Sequence, residues 1–232
     1  MKQKLLRIGH RGGAGDKALS TAPENSLAAI QEGIGAGCDY VEVDIQRTLD
    51  GELVLMHDKR VDRTTGHKGR VACYTFAELR NFKLKGGDPI PRLSEVLELL
   101  ELANGRVGLM AEIITPGIAT QVASLVRDAN LRSSVIFASF LHAELLAVRR
   151  VLPQAQTLAL LEGVPVTGAQ FALAAQASHV GLSFDSVTEA FVRELQASQL
   201  TVFVYTLDDP DDIQRARDLG VDGIISNYPG LI

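Results

Sequence analysis

Short apolar stretches alternate with amphipathic ones along almost the whole chain, and this alternation narrows the folds that the chain can adopt. Nine stretches have the length and apolar content of strands: residues 5–9, 40–46, 52–56, 107–113, 135–139, 157–161, 179–183, 201–206 and 221–226. Stretches with the apolar spacing of helices lie between most of them: residues 26–36, 93–103, 117–129, 141–151, 169–176 and 189–197. Because a helix returns the chain to the start of the next strand, we expect parallel strands.

About eight strand–helix units in one chain predict an α/β protein with a closed (β/α)8 barrel of the TIM type. Nine strand candidates are one too many for this barrel. Residues 52–56 follow the turn signal Asp50-Gly51 and return beside residues 40–46, so we interpret them as a hairpin partner outside the ring. Residues 59–91 are rich in glycine and charge, with one helical candidate at 75–82. We expect them to form a small insertion after the hairpin.

The last helix has sequence signals at both ends. Asp208 stands where an N-cap is expected, Pro210 follows in the first turn, and Gly220 is placed to end the helix. The acidic residues after Asp208 complement the positive end of the helix dipole. We therefore predict a helix that is capped by Asp208 and ends at Gly220.

Composition narrows the class of protein. A chain of 232 residues with 46% hydrophobic content can bury one substantial core, so residues 1–232 are expected to be a single domain. The net charge of −5, without a cluster of Lys or Arg, argues against nucleic acid as a partner.

The sequence contains no run of about eighteen apolar residues, so it predicts no membrane span. Residues 1–9 are too short for a secretory signal, which favours a cytoplasmic location. Cys38 and Cys73 are expected to be reduced and buried.

Two histidines and two acidic residues lie within residues 10–58. Glu42 and Asp44 are one residue apart in a predicted strand, so both side chains point to the same face. Two carboxylates on one face suit a hard divalent cation. His10 and His57, on either side of these acids in the sequence, can pass protons to and from an oxygen. This combination is what cleavage of a phosphate ester requires.

Polar and aromatic residues recur at the ends of the predicted strands. In a barrel of this type the carboxyl ends of the strands meet at one mouth, where active sites lie. Six residues lie at or just beyond such ends: His10, Asp44, Glu112, Ser139, Tyr205 and Asn227. The sequence therefore predicts a functional site at this mouth.

The most specific pattern is an ordered set of motifs spread over nearly the whole chain. The set comprises His10-Arg11-Gly12, Pro23-Glu24-Asn25-Ser26, Gly37-Cys38-Asp39-Tyr40-Val41-Glu42-Val43-Asp44, Asp50-Gly51, His57-Asp58, Arg63-Thr64-Thr65, Ile90-Pro91-Arg92-Leu93, Ala111-Glu112-Ile113, Ser139-Phe140 and Gly220-Val221-Asp222-Gly223-Ile224-Ile225-Ser226-Asn227-Tyr228-Pro229. This set resembles the signature of the glycerophosphodiester phosphodiesterase family. One of these motifs alone would be a weak signal, but their order makes the resemblance strong.

The resemblance implies a phosphoric diester hydrolase on a distorted (β/α)8 barrel. Such an enzyme converts a small glycerophosphodiester to glycerol 3-phosphate and an alcohol. It further implies one divalent cation, Mg²⁺ or Ca²⁺ with Mn²⁺ as a further option, at Glu42, Asp44 and Glu112.

The resemblance also implies roles for residues near the N-terminus. The positions that match His10 and His57 serve as acid and base in the family. Arg11 would bind the phosphate, and Glu24 with Asn25 would border the site. An alternative role for Glu24 and Asn25 is to cap the following helix.

Two positions depart from the family pattern. The family usually has a lysine two residues after the third metal-binding glutamate, where this chain has Ile114. Another cation, such as Lys59 or Arg63, would have to replace its charge. The family's usual tryptophan is replaced by Tyr205, which would then form a wall of the substrate pocket.

Other interpretations stay open at this point. Glu42 and Asp44 in isolation also fit the solvent face of an edge strand. The missing lysine favours a catalytically weak relative that binds phosphodiesters as a sensor or scaffold. A lysophospholipase-D-like or sphingomyelinase-D-like lipid phosphodiesterase would need an apolar surface near the mouth, and the absence of tryptophan argues against it.

Overall fold

The structure is a computed structural model that describes residues 4–13, 22–129, 131 and 134–232. Its strands, in chain order, are β1 (Leu6–Gly9), β2 (Tyr40–Arg47), β3 (Leu53–Leu55), β4 (Gly108–Ile113), β5 (Val135–Ser139), β6 (Gln156–Leu161), β7 (His179–Ser183), β8 (Thr201–Tyr205) and β9 (Gly223–Ser226). Its helices are α1 (Leu27–Gly35), α2 (Asp62–Thr65), α3 (Phe76–Leu79), α4 (Leu93–Leu102), α5 (Ala119–Asp128), α6 (His142–Val151), α7 (Gln170–Ala174), α8 (Glu189–Ala197) and α9 (Pro210–Leu219). Each of the nine predicted strands is present.

Eight parallel strands form a closed ring in the order β1, β9, β8, β7, β6, β5, β4, β2, and β2 pairs again with β1. The ring is surrounded by helices, which confirms the predicted (β/α)8 barrel. Among the strands, β3 pairs only with β2, and the pairing is antiparallel. Ile45 lies opposite Leu55, and Arg47 lies opposite Leu53. The surplus strand is thus the hairpin partner, as predicted.

Alternation along β2 decides which side chains face the barrel interior. Val41, Val43 and Ile45 point outward and pack into the apolar layer beneath the helices. Glu42 and Asp44 point inward, where they are 2% and 1% exposed. The interpretation of these acids as a solvent face is therefore wrong, because a strand within a closed barrel has its second face inside the ring.

Apolar side chains from six strands fill the barrel below its mouth. This interior cluster consists of Ile8, Met110, Ile136, Ala138, Leu158, Leu160, Phe203 and Ile225. Two larger clusters lie between the strands and the helices. The polar groups of the mouth consequently rest on a closely packed floor.

Residues 59–91 lie between the hairpin and α4 and contain α2 and α3. A small apolar core joins this segment to the hairpin: Val54, Met56, Val61, Val71, Phe76, Leu79, Leu84 and Ile90, all buried. The bidentate pair of Arg80 with Glu95 of α4, at 2.8 and 2.9 Å, ties the segment to the barrel. These contacts fit the expected insertion, while the assignment of residues 1–232 to one domain stays a prediction.

Two smaller predictions are wrong. Asp209, rather than Asp208, caps α9, since its side chain accepts from the amide of Asp211 at 2.9 Å. Asp208 instead accepts hydrogen bonds from the loop after β9. Cys38 is buried as expected, whereas Cys73 is exposed, and both are free. Within the described part of the chain, no helix combines the length and apolar character needed to cross a membrane.

Candidate active site

A pocket of about 200 Å³ opens at the carboxyl ends of the barrel strands. Its lining comprises His10, Arg11, Glu42, Asp44, His57, Met110, Glu112, Phe140, Leu160, Glu162, Tyr205, Thr206 and Ile225. All nine candidate residues therefore belong to the pocket or lie beside it, because Glu24 and Asn25 hydrogen-bond to lining residues.

Three carboxylates meet on one side of the pocket. Glu42, Asp44 and Glu112 each offer an oxygen, and these oxygens lie within 4.8 Å of one another. Asp44 and Glu112 are register partners on the adjacent strands β2 and β4. Oε1 of Glu42 is buried and has no hydrogen-bond partner among the described residues. A buried, unsatisfied carboxylate oxygen in a cluster of acids has the chemistry of a site for a hard divalent cation.

The electrostatics of this cluster are costly without a cation. Burial, with the charges of Asp44 and Glu112 adding to it, raises the pKa of Glu42 well above its ordinary value. Burial and the charge of Asp44 raise the pKa of Glu112 to about 8. Because a bound cation would favour the ionised forms, it would remove much of this cost.

Asn25 holds Asp44 in place from two directions. Its amide nitrogen donates to Oδ2 of Asp44 at 2.7 Å, and its amide oxygen accepts from the backbone N–H of Asp44 at 3.0 Å. Asn25 does not cap α1, because the hydroxyl of Ser26 accepts from the amide of Ala29. The capping interpretation of Asn25 is thus wrong, and its two bonds fix one carboxylate of the acidic cluster.

Arg11 lies in the left-handed region of backbone space, with φ of 52°. Its backbone N–H donates to Oε2 of Glu42 at 2.8 Å, and its Nη1 donates to Oε1 of Glu24 at 3.0 Å. Its Nε lies 3.5 Å from Oδ2 of Asp44. Gly12 follows with φ of 103°, where a Cβ would lie 2.8 Å from that of Ala29. The His-Arg-Gly turn therefore needs glycine at its third position to bring the guanidinium to the acids.

His10 is fixed by a chain of hydrogen bonds from the last barrel loop. Nδ1 of His10 lies 2.8 Å from the amide oxygen of Asn227. Asn227 in turn donates from both of its nitrogens to Asp208, at 2.9 and 2.6 Å. Because the acceptor faces Nδ1, the hydrogen is on Nδ1 and Nε2 is a free acceptor. Burial and the charge of Arg11 lower the pKa of His10, which favours its neutral form.

His57 has a different environment. Its Nδ1 lies 2.8 Å from Oδ1 of Asp58, and its side chain is 45% exposed. Arg63 donates to both oxygens of Asp58 and to both oxygens of Glu24. Hydrogen bonds from Arg63 and His57 hold the pKa of Asp58 at about 2, although burial opposes this shift. Arg63 therefore links the carboxylate beside His57 to the carboxylate beside Arg11.

Some residues expected at the mouth lie elsewhere. The hydroxyl of Ser139 is buried and donates to the backbone oxygen of Ile113, so it does not reach the pocket. Asn227 lies behind His10 and acts on the pocket through it. Arg63 and Lys59 do not line the pocket. The charge of Arg63 is engaged by Glu24 and Asp58, so it does not replace the missing lysine.

Three lining residues outside the apolar floor were not predicted from the sequence as site residues. Glu162 directly follows β6, Phe140 directly follows β5, and Thr206 directly follows β8. Their positions just beyond strand ends would have identified them by the same rule that identified Glu112 and Tyr205.

Comparison with known proteins supplies independent findings. The profile of the glycerophosphoryl diester phosphodiesterase family matches residues 10–231. The glycerophosphodiester phosphodiesterase of Caldanaerobacter subterraneus subsp. tengcongensis is 30% identical over 236 residues, which cover 97% of this chain and 95% of that protein. The crystal structure of glycerophosphodiester phosphodiesterase from Agrobacterium tumefaciens superposes with a TM-score of 0.82 at 25% identity and covers 98% of both chains.

A second solved structure has the same fold. An Oleispira antarctica phosphodiesterase, in complex with the product sn-glycerol-3-phosphate, superposes with a TM-score of 0.87 at 22% identity. The match covers 98% of this chain and 94% of that one.

Proposed function

Because the chain belongs to the glycerophosphoryl diester phosphodiesterase family, we propose that it is a metal-dependent phosphoric diester hydrolase. Its reaction is the cleavage of a small glycerophosphodiester to glycerol 3-phosphate and an alcohol. The observation that carries this proposal is the meeting of Glu42, Asp44 and Glu112 in one pocket with His10 and His57.

The acidic cluster is the proposed cation site. Glu42, Asp44 and Glu112 would hold one Mg²⁺ or Ca²⁺, with Mn²⁺ as a further option, since all three offer hard oxygen ligands. The unpartnered Oε1 of Glu42 supports this assignment. When bound, the cation supplies positive charge that polarises a phosphoryl oxygen and stabilises the charge that develops there.

His10 is the proposed general base. Asn227 holds the hydrogen on Nδ1, which leaves Nε2 to accept a proton from the attacking hydroxyl group. The lowered pKa of His10 keeps this nitrogen unprotonated near neutral pH. The attacking hydroxyl belongs either to water or to the neighbouring carbon of the glycerol.

His57 is the proposed general acid. The carboxylate of Asp58 stabilises an imidazolium through its contact with Nδ1. Nε2 of that imidazolium can then donate a proton to the oxygen of the departing alcohol. Two histidines with opposite protonation states are what acid–base cleavage of a diester needs.

Arg11 is the proposed phosphate ligand. Glu24 holds the guanidinium in the pocket at 3.0 Å, and the remaining N–H groups can donate to phosphate oxygens. Hydrogen bonds and charges of Arg63 and Arg11 lower the pKa of Glu24 in spite of its burial, so this anchor stays ionised. Asn25 supports the cation site through Asp44, and Tyr205 forms part of the pocket wall.

The test is an assay of purified protein on glycerophosphocholine and glycerophosphoethanolamine, with Mg²⁺, Ca²⁺, Mn²⁺ or a chelator. We expect release of glycerol 3-phosphate that the chelator abolishes. His10→Ala and His57→Ala should each lower kcat by roughly a hundredfold or more. The exposed His67, which stacks on Phe82 in the insertion, provides the control variant His67→Ala.

Absence of chelator-sensitive release would contradict the proposal. Tight binding of a diester without turnover, unchanged in His10→Ala, would instead support a sensor or scaffold.

One observation favours a second candidate, a lysophospholipase-D-like activity. Four apolar side chains on the segments that follow β5 and β6 are exposed: Phe140, Leu141, Val164 and Val166. These segments lie at the mouth end of the barrel, where an apolar surface could contact a lipid chain. Release of choline from lysophosphatidylcholine faster than from glycerophosphocholine would support this candidate, and the reverse order would exclude it as the main activity.

A further inference from the structure

The side of the pocket away from the acidic cluster has a different chemistry. Phe140 follows β5, Glu162 follows β6, and Tyr205 ends β8. In the barrel order, β6 is four places from β1 in either direction, so Glu162 stands across the mouth from His10 and Arg11. The pocket thus has a catalytic side and a second side built from two aromatic rings and one acid.

The two rings are held in a fixed arrangement. Phe140 and Tyr205 meet edge to face, with ring centroids 6.0 Å apart and planes at 89°. The hydroxyl of Tyr205 donates to the backbone oxygen of Leu161 at 3.0 Å, which anchors this ring beside Glu162. Burial, together with the charge of Glu162, raises the pKa of the Tyr205 hydroxyl. The carboxylate and the ring of Tyr205 therefore act on the same small volume.

Within the described part of the protein, the carboxylate of Glu162 has no hydrogen bond or ion pair. The backbone oxygen of Glu162 does accept a hydrogen bond, from the hydroxyl of Ser186. The side chain of Glu162 is exposed and lines the pocket. An acid without a partner, in the same pocket lining as two aromatic rings, is suited to attract a cationic ligand.

The net charge of the pocket also favours a cationic ligand. Four carboxylates line it, and Arg11 is the only Lys or Arg side chain in its described lining. A divalent cation, Arg11 and the proposed imidazolium of His57 balance these four charges, so the bound phosphodiester leaves one negative charge in the pocket. A substrate whose alcohol is positively charged would reduce this excess of negative charge.

We propose that Phe140, Glu162 and Tyr205 form a subsite for the ammonium group of the substrate's alcohol, so that the preferred substrates are diesters of cationic amino alcohols. This inference rests on the proposed function, since it assumes that the phosphodiester lies at the acidic cluster. The rings contribute cation–π attraction and the carboxylate contributes charge. A quaternary ammonium suits such a site because it needs no hydrogen-bond acceptor.

A neutral alcohol would use the same side of the pocket differently. Glu162 could accept hydrogen bonds from hydroxyl groups, and glutamine at this position would keep an accepting oxygen. Glu162→Gln therefore separates the two cases, because it removes the charge while preserving shape and an acceptor. A charge effect changes the ratio of activities between cationic and neutral substrates, whereas a hydrogen-bond effect lowers both together.

The experiment compares kcat/KM for glycerophosphocholine and glycerophosphoglycerol in the wild type, Glu162→Gln and Glu98→Gln. Glu98 is an exposed acid on α4, in a groove between α4 and α5 away from the mouth, and serves as the matched control. We expect the wild type to prefer glycerophosphocholine. Glu162→Gln should lower this preference roughly tenfold, and raised ionic strength should weaken it in the wild type. Phe140→Ala should lower it in the same direction.

An unchanged ratio in Glu162→Gln, or an equal fall for both diesters, would overturn the inference. If neither diester is cleaved, that result contradicts the proposed function but does not test the subsite. Calorimetric titration of both diesters into the same proteins then tests the subsite by binding alone. Tighter binding of glycerophosphocholine that Glu162→Gln abolishes would then still support the ammonium subsite. Equal dissociation constants for the two diesters would overturn it.

Discussion

The guanidinium of Arg63 donates to both carboxylate oxygens of Asp58, from Nε at 2.8 Å and from Nη2 at 3.0 Å. Asp58 is the partner of Nδ1 of His57. The same guanidinium also bonds both oxygens of Glu24, which holds Arg11. One side chain of the insertion thus orients both a proposed catalytic histidine and the proposed phosphate ligand.

Arg63→Lys is expected to lower kcat by roughly ten- to a hundredfold, because a single ammonium cannot hold two carboxylates in a planar arrangement and small displacements of reacting groups are costly. The matched control is Arg60→Lys, since Arg60 forms an exposed pair with Asp62 in the same segment. Exposed pairs contribute little, so this control should behave as the wild type. Steady-state kinetics of the two variants decide the matter, and equal kinetics would show that Arg63 has no positioning role.

The pH profile reports on His10. Burial and the charge of Arg11 lower the pKa of His10 below 6.5, and a bound cation acts in the same direction. Because the base must be unprotonated, kcat/KM should rise with pH through a midpoint below 6.5. The hydrogen bond to Asn227 opposes the shift, so Asn227→Ala should move this midpoint to still lower pH while reducing kcat. A rate profile between about pH 4.5 and 8 provides the measurement, and a midpoint above that of free histidine would contradict the assignment.

The acidic cluster predicts how stability depends on pH in the metal-free protein. The pKa of Glu112 is about 8 in the folded state against an ordinary 4.5. At pH values between these two pKa values, Glu112 holds a proton in the folded state that it lacks in the unfolded state. Its contribution to stability therefore falls as pH rises. Each pKa unit of difference between the folded and unfolded states corresponds to about 1.4 kcal/mol of unfolding free energy. For a chain of this length, a change of about 1 kcal/mol in that free energy shifts Tm by roughly 2–4 °C.

Glu112→Gln should therefore raise the Tm of the metal-free protein at pH 8 and flatten its dependence on pH. The wild type should gain more Tm from added Mg²⁺ or Mn²⁺ at pH 8 than at pH 5, since protons compete with the cation at the lower pH. Thermal unfolding in chelator and in cation, with Glu98→Gln as control, measures both effects. A steeper fall of Tm with rising pH in Glu112→Gln than in the wild type would contradict this prediction.

The barrel could be predicted from the sequence because its signals are local. Apolar periodicity identified each strand, and the Asp50-Gly51 turn identified the strand outside the ring. The cap of α9 could not be predicted in the same way. Asp208 and Asp209 can both cap a helix, and only the folded chain shows that Asp208 instead accepts from Asn227, which follows the neighbouring strand β9.

The site was only partly predictable for a related reason. Position at a strand end indicates which edge of the barrel a residue occupies, but not where its side chain points. By this rule Ser139 was expected at the mouth, yet its hydroxyl bonds the neighbouring strand instead. Arg63 pairs with Asp58, which is near in sequence, and with Glu24, which is 39 residues away. No local pattern encodes the pair with Glu24.

Ile114 tests the consequence of the missing lysine. It follows Glu112 by two residues and lies one residue beyond the end of β4, so continued strand alternation would put its side chain on the same side as that acid. Ile114→Lys should raise kcat/KM for glycerophosphoglycerol roughly tenfold, because a nearby positive charge attracts the phosphodiester. Ile114→Gln is the uncharged control. Equal kinetics of the two variants would show that charge at this position does not limit the reaction.

The most direct test of the central claim is anomalous diffraction from crystals of the protein soaked in Mn²⁺ with glycerol 3-phosphate. We expect one peak within about 2.5 Å of oxygens from Glu42, Asp44 and Glu112, with the phosphate between His10 and His57. We also expect that Glu42→Gln weakens or removes this peak. A cation bound elsewhere in the protein, or a phosphate bound away from both histidines, would contradict the account.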